Sequence, residues 1–295
     1  MNIEKSNLII DDIIAQLIDL KSSLSSDDKS LTKIQNSDFE KLKNLLNSSS
    51  WPEAVDPDLI CSTSSENDKE ERAVGIIELF ISDEIKTKRF LDMGCGEGYC
   101  VKQANVYQAK LSVGYDIKED ENWSNFKESD IFLTTDFSKV KEKGPYDIIL
   151  IFDVLDHLTN ESPVEFLKKA KSVLSPNGKI YIRVHPITSR HATHLYHKLN
   201  KAYVHLVFTP DELKELMPES GISNIGENRP IVSYSRYVEQ AGLKEVRHDE
   251  IREKIEPFFT NNEIIANRIM KHTEFNEFPF FQTELQFLDL VVEKN

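Results

Sequence analysis

The stretch Phe90 to Tyr99, FLDMGCGEGY, places three of the chain's ten glycines at alternate positions, directly after a short apolar run and an aspartate. An apolar run followed by D-x-G-x-G-x-G describes a strand that turns sharply into a helix. Glycine suits such a turn for two reasons. It tolerates positive φ, and without a Cβ it leaves bare backbone against which a ligand can lie.

What surrounds the turn alternates in the same way. The sequence predicts strands over Arg89 to Met93, Ala109 to Tyr115, Ile131 to Thr135, Asp147 to Phe152 and Lys179 to Val184, with helical segments such as Pro163 to Leu174 between them. Strands that alternate with helices imply parallel βαβ units. DIILIF (Asp147 to Phe152) shows no in/out alternation, as expected of a central strand covered on both faces. Before the turn, Asn67 and Asp68 are candidate caps for a helix to about Ile81 with Ala73, Ile76, Ile77 and Phe80 on one face. Farther upstream, Leu8, Ile9, Ile13, Leu17, Ile18 and Leu20 recur at helical spacing, and Phe39 to Leu46 predicts a second short helix. Residues 1–50 are therefore expected to be a helical extension, 51–68 a linker or irregular strap, and 69–295 the main domain. After the fifth strand, Thr209 and Pro210 open a capped helix in TPDELKEL, inside an expected insertion over about 186–230. Late segments predict a helix end at Tyr237 to Ala241, a strand over Leu243 to Val246, a helix over Glu263 to Met270 and a last strand over Leu285 to Val292.

The glycine spacing differs from the dinucleotide fingerprint G-x-G-x-x-G, because Gly98 comes one position early and Tyr99 stands where a small residue is wanted. An acid follows at each strand end. Asp116 ends VGYDI, where a carboxylate can accept both hydroxyls of a ribose; Asp136 and Phe137 end the third strand as an acid and an aromatic suited to adenine; Asp153 ends the fourth. Open α/β sheets bind ligands on this side. With these residues the chain resembles the class I S-adenosylmethionine-dependent methyltransferases, from roughly Glu70 to the C-terminus. The resemblance implies a Rossmann-like, seven-stranded, mostly parallel sheet with helices on both faces, closed by a reversed hairpin of LKEV and ELQFLDLVV. It also implies that Asp92, Gly94, Gly96 and Gly98 line the methionine and ribose side, that Asp116 holds the ribose, that Asp136 and Phe137 contact adenine, and that Asp153 borders the sulfonium.

DVLDHL adds Asp153, Asp156 and His157, with the two acids three residues apart. The group is similar to the E-x-x-E-H element of quinone-biosynthesis and small-RNA 2′-O-methyltransferases, which implies a divalent ion such as magnesium on these three residues. The competing reading is a helix start with Asp near its positive end. Between Arg183 and Leu206 lie five of the eight histidines and no acid. Helical spacing there predicts one stripe of Leu195, Leu199, Ala202 and Leu206 beside another of His191, His194, Lys198, Lys201 and His205. Arg190, His194 and Lys198 are candidates for holding substrate, and His157 and His191 for general base. A solvated amphipathic helix is the plainer alternative.

The net charge of −14 disfavours broad adhesion to nucleic acid or anionic membrane. The apolar runs are too short to cross a bilayer, Asp11 and Asp12 interrupt any signal-like segment, and three sparse cysteines fit a reducing, cytoplasmic setting. The expected activity is methyl transfer from S-adenosylmethionine to an oxygen or nitrogen nucleophile. Its acceptor is either an anionic or phenolic small molecule or an RNA or nucleotide end. The alternative from another class is a scaffold of the same fold that binds the cofactor without turnover.

Overall fold

The computed structural model of the chain describes residues 37–56, 65–126, 128–158, 162–192, 195–218, 231–270 and 284–294. The helix expected upstream of residue 37 lies outside them. Two compact units meet in sequence at Trp51 and Pro52. In the first, residues 37–46 form a helix that buries Phe39, Leu42 and Leu46, spaced as one helical face.

The second unit is built on a seven-stranded sheet. Its elements are α1 (Glu66–Phe80), β1 (Arg89–Met93), α2 (Tyr99–Val106), β2 (Leu111–Tyr115), β3 (Ile131–Thr134), α3 (Phe137–Lys143), β4 (Tyr146–Phe152), α4 (Ser162–Val173), β5 (Leu174–Val184), α5 (Val204–Val207), α6 (Pro210–Leu216), α7 (Ile231–Gln240), β6 (Leu243–Glu253), α8 (Pro257–Asn261), α9 (Glu263–Ile269) and β7 (Glu284–Lys294). The strand order is β3-β2-β1-β4-β5-β7-β6. The first five strands pair in parallel and β7 runs antiparallel to both β5 and β6. This is the Rossmann-like arrangement with a reversed final hairpin.

The unbroken apolar run of β4 serves two cores. Ile149 and Ile151 pack into one with Leu167, Ala170, Tyr234 and Val238 from α4 and α7. Ile148 and Leu150 face the other with Ile76, Ile77, Phe80 and Ala104 from α1 and α2. Helices thus cover both faces, and the strand has no polar side to show.

Three local expectations need correction. The cap of α1 is Ser65, not Asn67 or Asp68: Ser65 Oγ accepts the Asp68 N–H at 3.2 Å while Asp68 accepts the Ser65 N–H at 3.1 Å, so Asp68 is the far half of a capping box. Strand β6 runs to Glu253 rather than stopping at Val246. Its second half, RHDEIRE, carries no apolar alternation because it is an edge strand held by backbone pairing to β7, and charge keeps such an edge from adding further strands. The third correction concerns the histidine-rich segment. Its expected helix from His191 to Leu206 is not formed; a single 3₁₀ turn at Leu195–His197 and the short α5 replace it. Tyr203 has φ of 58°, and this left-handed residue breaks any continuous helix.

That segment instead joins a small cap with the stretch after β6. Tyr203 meets Phe259 edge to face at 4.8 Å, and Arg268 Nη1 donates to Val207 O at 3.1 Å and to Glu212 Oε2 at 2.5 Å. Thr209 and Pro210 begin α6 as expected, with Glu212 completing its capping box. Asn200 ties the irregular strap to the cap by accepting the Ala54 and Val55 N–H groups at 3.1 and 3.0 Å and donating to Val55 O at 2.7 Å.

Candidate functional site

The glycine turn leaves the C-terminal end of β1 in the middle of the sheet, next to the strand where the order reverses. Gly94, Gly96 and Gly98 have φ of 93°, 48° and 90°. At Gly94 a Cβ would come within 2.3 Å of Val154 Cγ2, so this position requires both the left-handed backbone and the missing side chain. The turn is pinned from β2: Gly94 and Cys95 donate to Tyr115 O at 2.7 and 3.2 Å, and Gly96 donates to Asp116 Oδ2 at 2.9 Å. Trp123 holds its outer side by donating Nε1–H to Gly96 O at 2.8 Å. Nothing in the sequence spacing pointed to Trp123.

A cavity of about 410 Å³ opens over this turn. Its walls include Asp92, residues Gly94 to Cys100, Lys69 and Arg72 from α1, and Phe152 and Asp153 from the end of β4. Asp92 is buried beneath it, and burial, with the Asp116 charge adding to it, pushes its carboxyl up to about 7. A buried carboxylate of this kind is suited to a cationic ligand. Asp116, Asp136 and Phe137 lie outside the cavity wall, along the ends of β2 and β3. The Asp136 carboxylate caps α3, accepting the Ser138 N–H at 2.9 Å and its hydroxyl at 2.7 Å, which hold it below the usual carboxylate range. Phe137 packs edge to face on Tyr115 at 5.3 Å. Ile117, the residue after Asp116, is an apolar side chain 87% exposed beside that acid.

Asp153 sits at a positive φ of 54°. Its two oxygens meet two different side chains, Arg72 Nη2 at 3.2 Å on Oδ2 and His185 Nε2 at 3.3 Å on Oδ1. Burial lowers the His185 pKa, but the Asp153 charge and hydrogen bond, helped by Asp156, outweigh it and leave the pKa raised. Asp156 is fully buried and accepts the His185 N–H at 3.4 Å, while its Oδ1 has no partner among the described residues. Burial and the Asp153 charge push the Asp156 carboxyl up to about 6. His157 is half-buried on the adjoining 3₁₀ turn, where its charge acts on Asp156.

Among the described residues no group of three or more His, Cys, Asp or Glu side chains is placed to hold a metal ion. Asp153 faces Arg72 and His185, Asp156 turns to backbone, and the site expected on Asp153, Asp156 and His157 is not formed. The magnesium expectation has no support among the described residues.

The basic stripe is dispersed for the same reason that its helix is absent. Arg190 is bound to Glu256, and Nε2 of buried His205 lies 2.9 Å from Ile187 O. Lys198 and His197 are exposed, and His194 lies outside the described residues. His191 stays beside His185, whose Nε2 faces the cavity-lining Asp153. Its ring lies 4.7 Å from that of His185 and 5.9 Å from that of Tyr196, with Nδ1 3.5 Å from Ser189 Oγ. Burial raises the Tyr196 hydroxyl pKa, with the Arg72 charge opposing the rise and the Asp153 charge adding to it. The roles of His185, Arg72 and Tyr196 went unread in sequence, since none belongs to a spaced motif.

A family model described as a methyltransferase domain matches residues 66–226. Among solved structures, an S-adenosylmethionine-dependent methyltransferase from Mesorhizobium loti is 14% identical over 72% of this chain and 93% of its own, with a TM-score of 0.46. The magnesium protoporphyrin IX methyltransferase of Synechocystis with bound SAH is 14% identical over 79% and 89%, with a TM-score of 0.47. An S-adenosylmethionine-dependent methyltransferase from Archaeoglobus fulgidus is 18% identical over 81% and 100%, with a TM-score of 0.44. No sequence among the curated proteins matches.

Proposed function

Since this chain belongs to the methyltransferase-domain family, we propose that it moves the methyl group of S-adenosylmethionine to an oxygen or nitrogen nucleophile of a small anionic or phenolic acceptor. The observation that carries this reading is the bare left-handed turn of Gly94, Gly96 and Gly98, opening on a cavity whose floor holds the buried Asp92. Asp92 would receive the ammonium group of the cofactor's methionine part, and Arg72 its carboxylate. Asp116, already fixed by Gly96, would accept the ribose hydroxyls, with the exposed Ile117 against the adenine.

The cofactor supplies an activated methyl on a sulfonium. The remaining work belongs to the chain: to place the nucleophile in line with that methyl, keep water out, and take up the nucleophile's proton. Asp153 borders the reacting centre, and His191 is the proton acceptor in this proposal. His191 would take up the proton that the acceptor's nucleophile gives up on methylation.

A small acceptor is favoured over an RNA end because Arg190 and His205 are engaged inside the cap and do not form a continuous basic stripe. The test is label transfer from methyl-tritiated S-adenosylmethionine to separate panels of phenols, aromatic carboxylates and short RNA oligonucleotides. Label in a phenol or carboxylate supports the proposal. Label in RNA alone refutes the acceptor class, and cofactor binding with no transfer to any panel favours the scaffold.

A further inference from the structure

The Asp153 carboxylate stands between an arginine and a histidine. Arg72 Nη2 and His185 Nε2 stand 3.2 and 3.3 Å from different oxygens, both beyond the 2.7–2.9 Å of a tight charge-assisted bond. The two partners are unequal. Arg72 comes from α1, is 54% exposed and lines the cavity, with its guanidinium resting 5.5 Å from the centre of the Phe152 ring. His185 follows β5, is 7% exposed, and has His191 edge to face on it at 4.7 Å. The Asp153 backbone is fixed, since its N–H donates to Arg183 O at 3.0 Å, so only the carboxylate has freedom to turn.

We propose that Asp153 is handed from Arg72 to His185 when the cofactor binds: the cofactor's carboxylate takes up Arg72, Asp153 turns wholly to His185, and His185 then holds His191 in place for the acceptor. Asp153 and His185 are positioning residues in this scheme, and the acceptor-side histidine is set only in the presence of cofactor. The inference rests on the methyltransferase reading above. The other groups facing His185 fit it. Asp156 accepts the His185 backbone N–H, which anchors the residue, and the Arg183 charge opposes protonation of the ring while the Asp153 carboxylate favours it.

The experiment is proton NMR of the ¹⁵N-labelled full chain at a fixed pH near neutrality. It follows the His185 Nε2–H signal, assigned by its loss in His185→Gln, with S-adenosylhomocysteine binding verified in parallel by calorimetry. Saturation with S-adenosylhomocysteine is expected to move this signal downfield and slow its exchange with solvent. 5′-Methylthioadenosine keeps the adenosine and thioether but lacks both the ammonium and the carboxylate, and, with its binding verified in the same way, it should leave the signal in place. In Arg72→Gln the signal should be downfield before any ligand is added, while Arg72→Lys should behave as wild type. A His185 signal that stays put while S-adenosylhomocysteine binds overturns the handover, as does an equal response to methylthioadenosine. No binding of S-adenosylhomocysteine at all overturns the underlying reading and the handover together.

Discussion

Asp116 Oδ2 accepts the backbone N–H of Gly96 at 2.9 Å, joining the end of β2 to the middle of the glycine turn that follows β1. One carboxylate therefore does two things. It fixes a loop that glycine alone would leave free, and it places a negative charge close enough to add to the burial that raises the neighbouring Asp92. The turn over the cavity is thus pinned before any ligand arrives.

Asp92 makes cofactor binding depend on pH. With its carboxyl near 7, a cationic ligand favours the charged form and displaces a proton. S-adenosylmethionine affinity is expected to rise from pH 6 to pH 8 by about tenfold, tracking the ionised fraction. Calorimetry in buffers of different ionisation enthalpy should show the released proton, and Asp92→Asn should lose both effects. The stability of the ligand-free protein runs the other way. The folded state holds the Asp92 proton that the unfolded chain loses near pH 4, so this residue's contribution falls as pH rises from about 4 to about 7. Asp92→Asn should therefore melt higher than wild type at pH 8, with the gap closing near pH 4.

Two glycines should respond oppositely to alanine. Gly75 is exposed in the interior of α1 with nothing within 4 Å of an added Cβ, and Gly75→Ala should stabilise by about 1 kcal/mol. Gly94→Ala meets Val154 at 2.3 Å on a φ of 93° and should destabilise by about 1–3 kcal/mol while weakening cofactor binding. Denaturant unfolding of the pair separates the effects.

Arg183 and Asp289 form a two-pronged pair between β5 and β7, at 2.6 and 2.5 Å, with side chains 14% and 6% exposed. The Arg183 guanidinium also lies 5.0 Å from the centre of the Phe80 ring. Asp289→Asn strands a buried charge and should cost about 3–5 kcal/mol, whereas replacing both partners by Met and Leu should cost much less. Thermal unfolding of the single and double variants tests this.

Glu212 links the two halves of the cap. Burial raises its carboxyl pKa, but hydrogen bonds from Arg268 and Thr209 outweigh that and leave it below the usual carboxylate range. Its stabilisation is therefore present above the unfolded carboxyl pKa and lost as pH falls through the lower folded value. Glu212→Gln should raise amide exchange in α6 about tenfold at pH 7, the loss of one charge-assisted bond. The variant and wild type should converge in acid.

Legibility in the sequence followed the range of the interactions. The first five strand segments and the acids at their ends were readable because each is announced locally: apolar run, acid, glycine. DIILIF declared a doubly covered strand without any partner being known. The second half of β6 was missed because its pairing is made by backbone across the sheet, and RHDEIRE has no side-chain period to betray it. The helix expected from His191 failed for a related reason. Leu195, Ala202 and Leu206 are buried as the spacing required, yet against a cap completed by Phe259 and Arg268 some sixty residues away. His185 was visible only as one histidine among five until the fold set it against Asp153.

The central claim is that the turn of Gly94, Gly96 and Gly98 with Asp116 forms a cofactor site. Calorimetric titration of S-adenosylhomocysteine into wild type and Asp116→Ala, both verified as folded by their melting transitions, tests it most directly. The account predicts saturable one-to-one binding to wild type, weakened at least about tenfold, or 1.4 kcal/mol, in the variant. Absence of binding to wild type, or equal affinity in the two proteins, would contradict it.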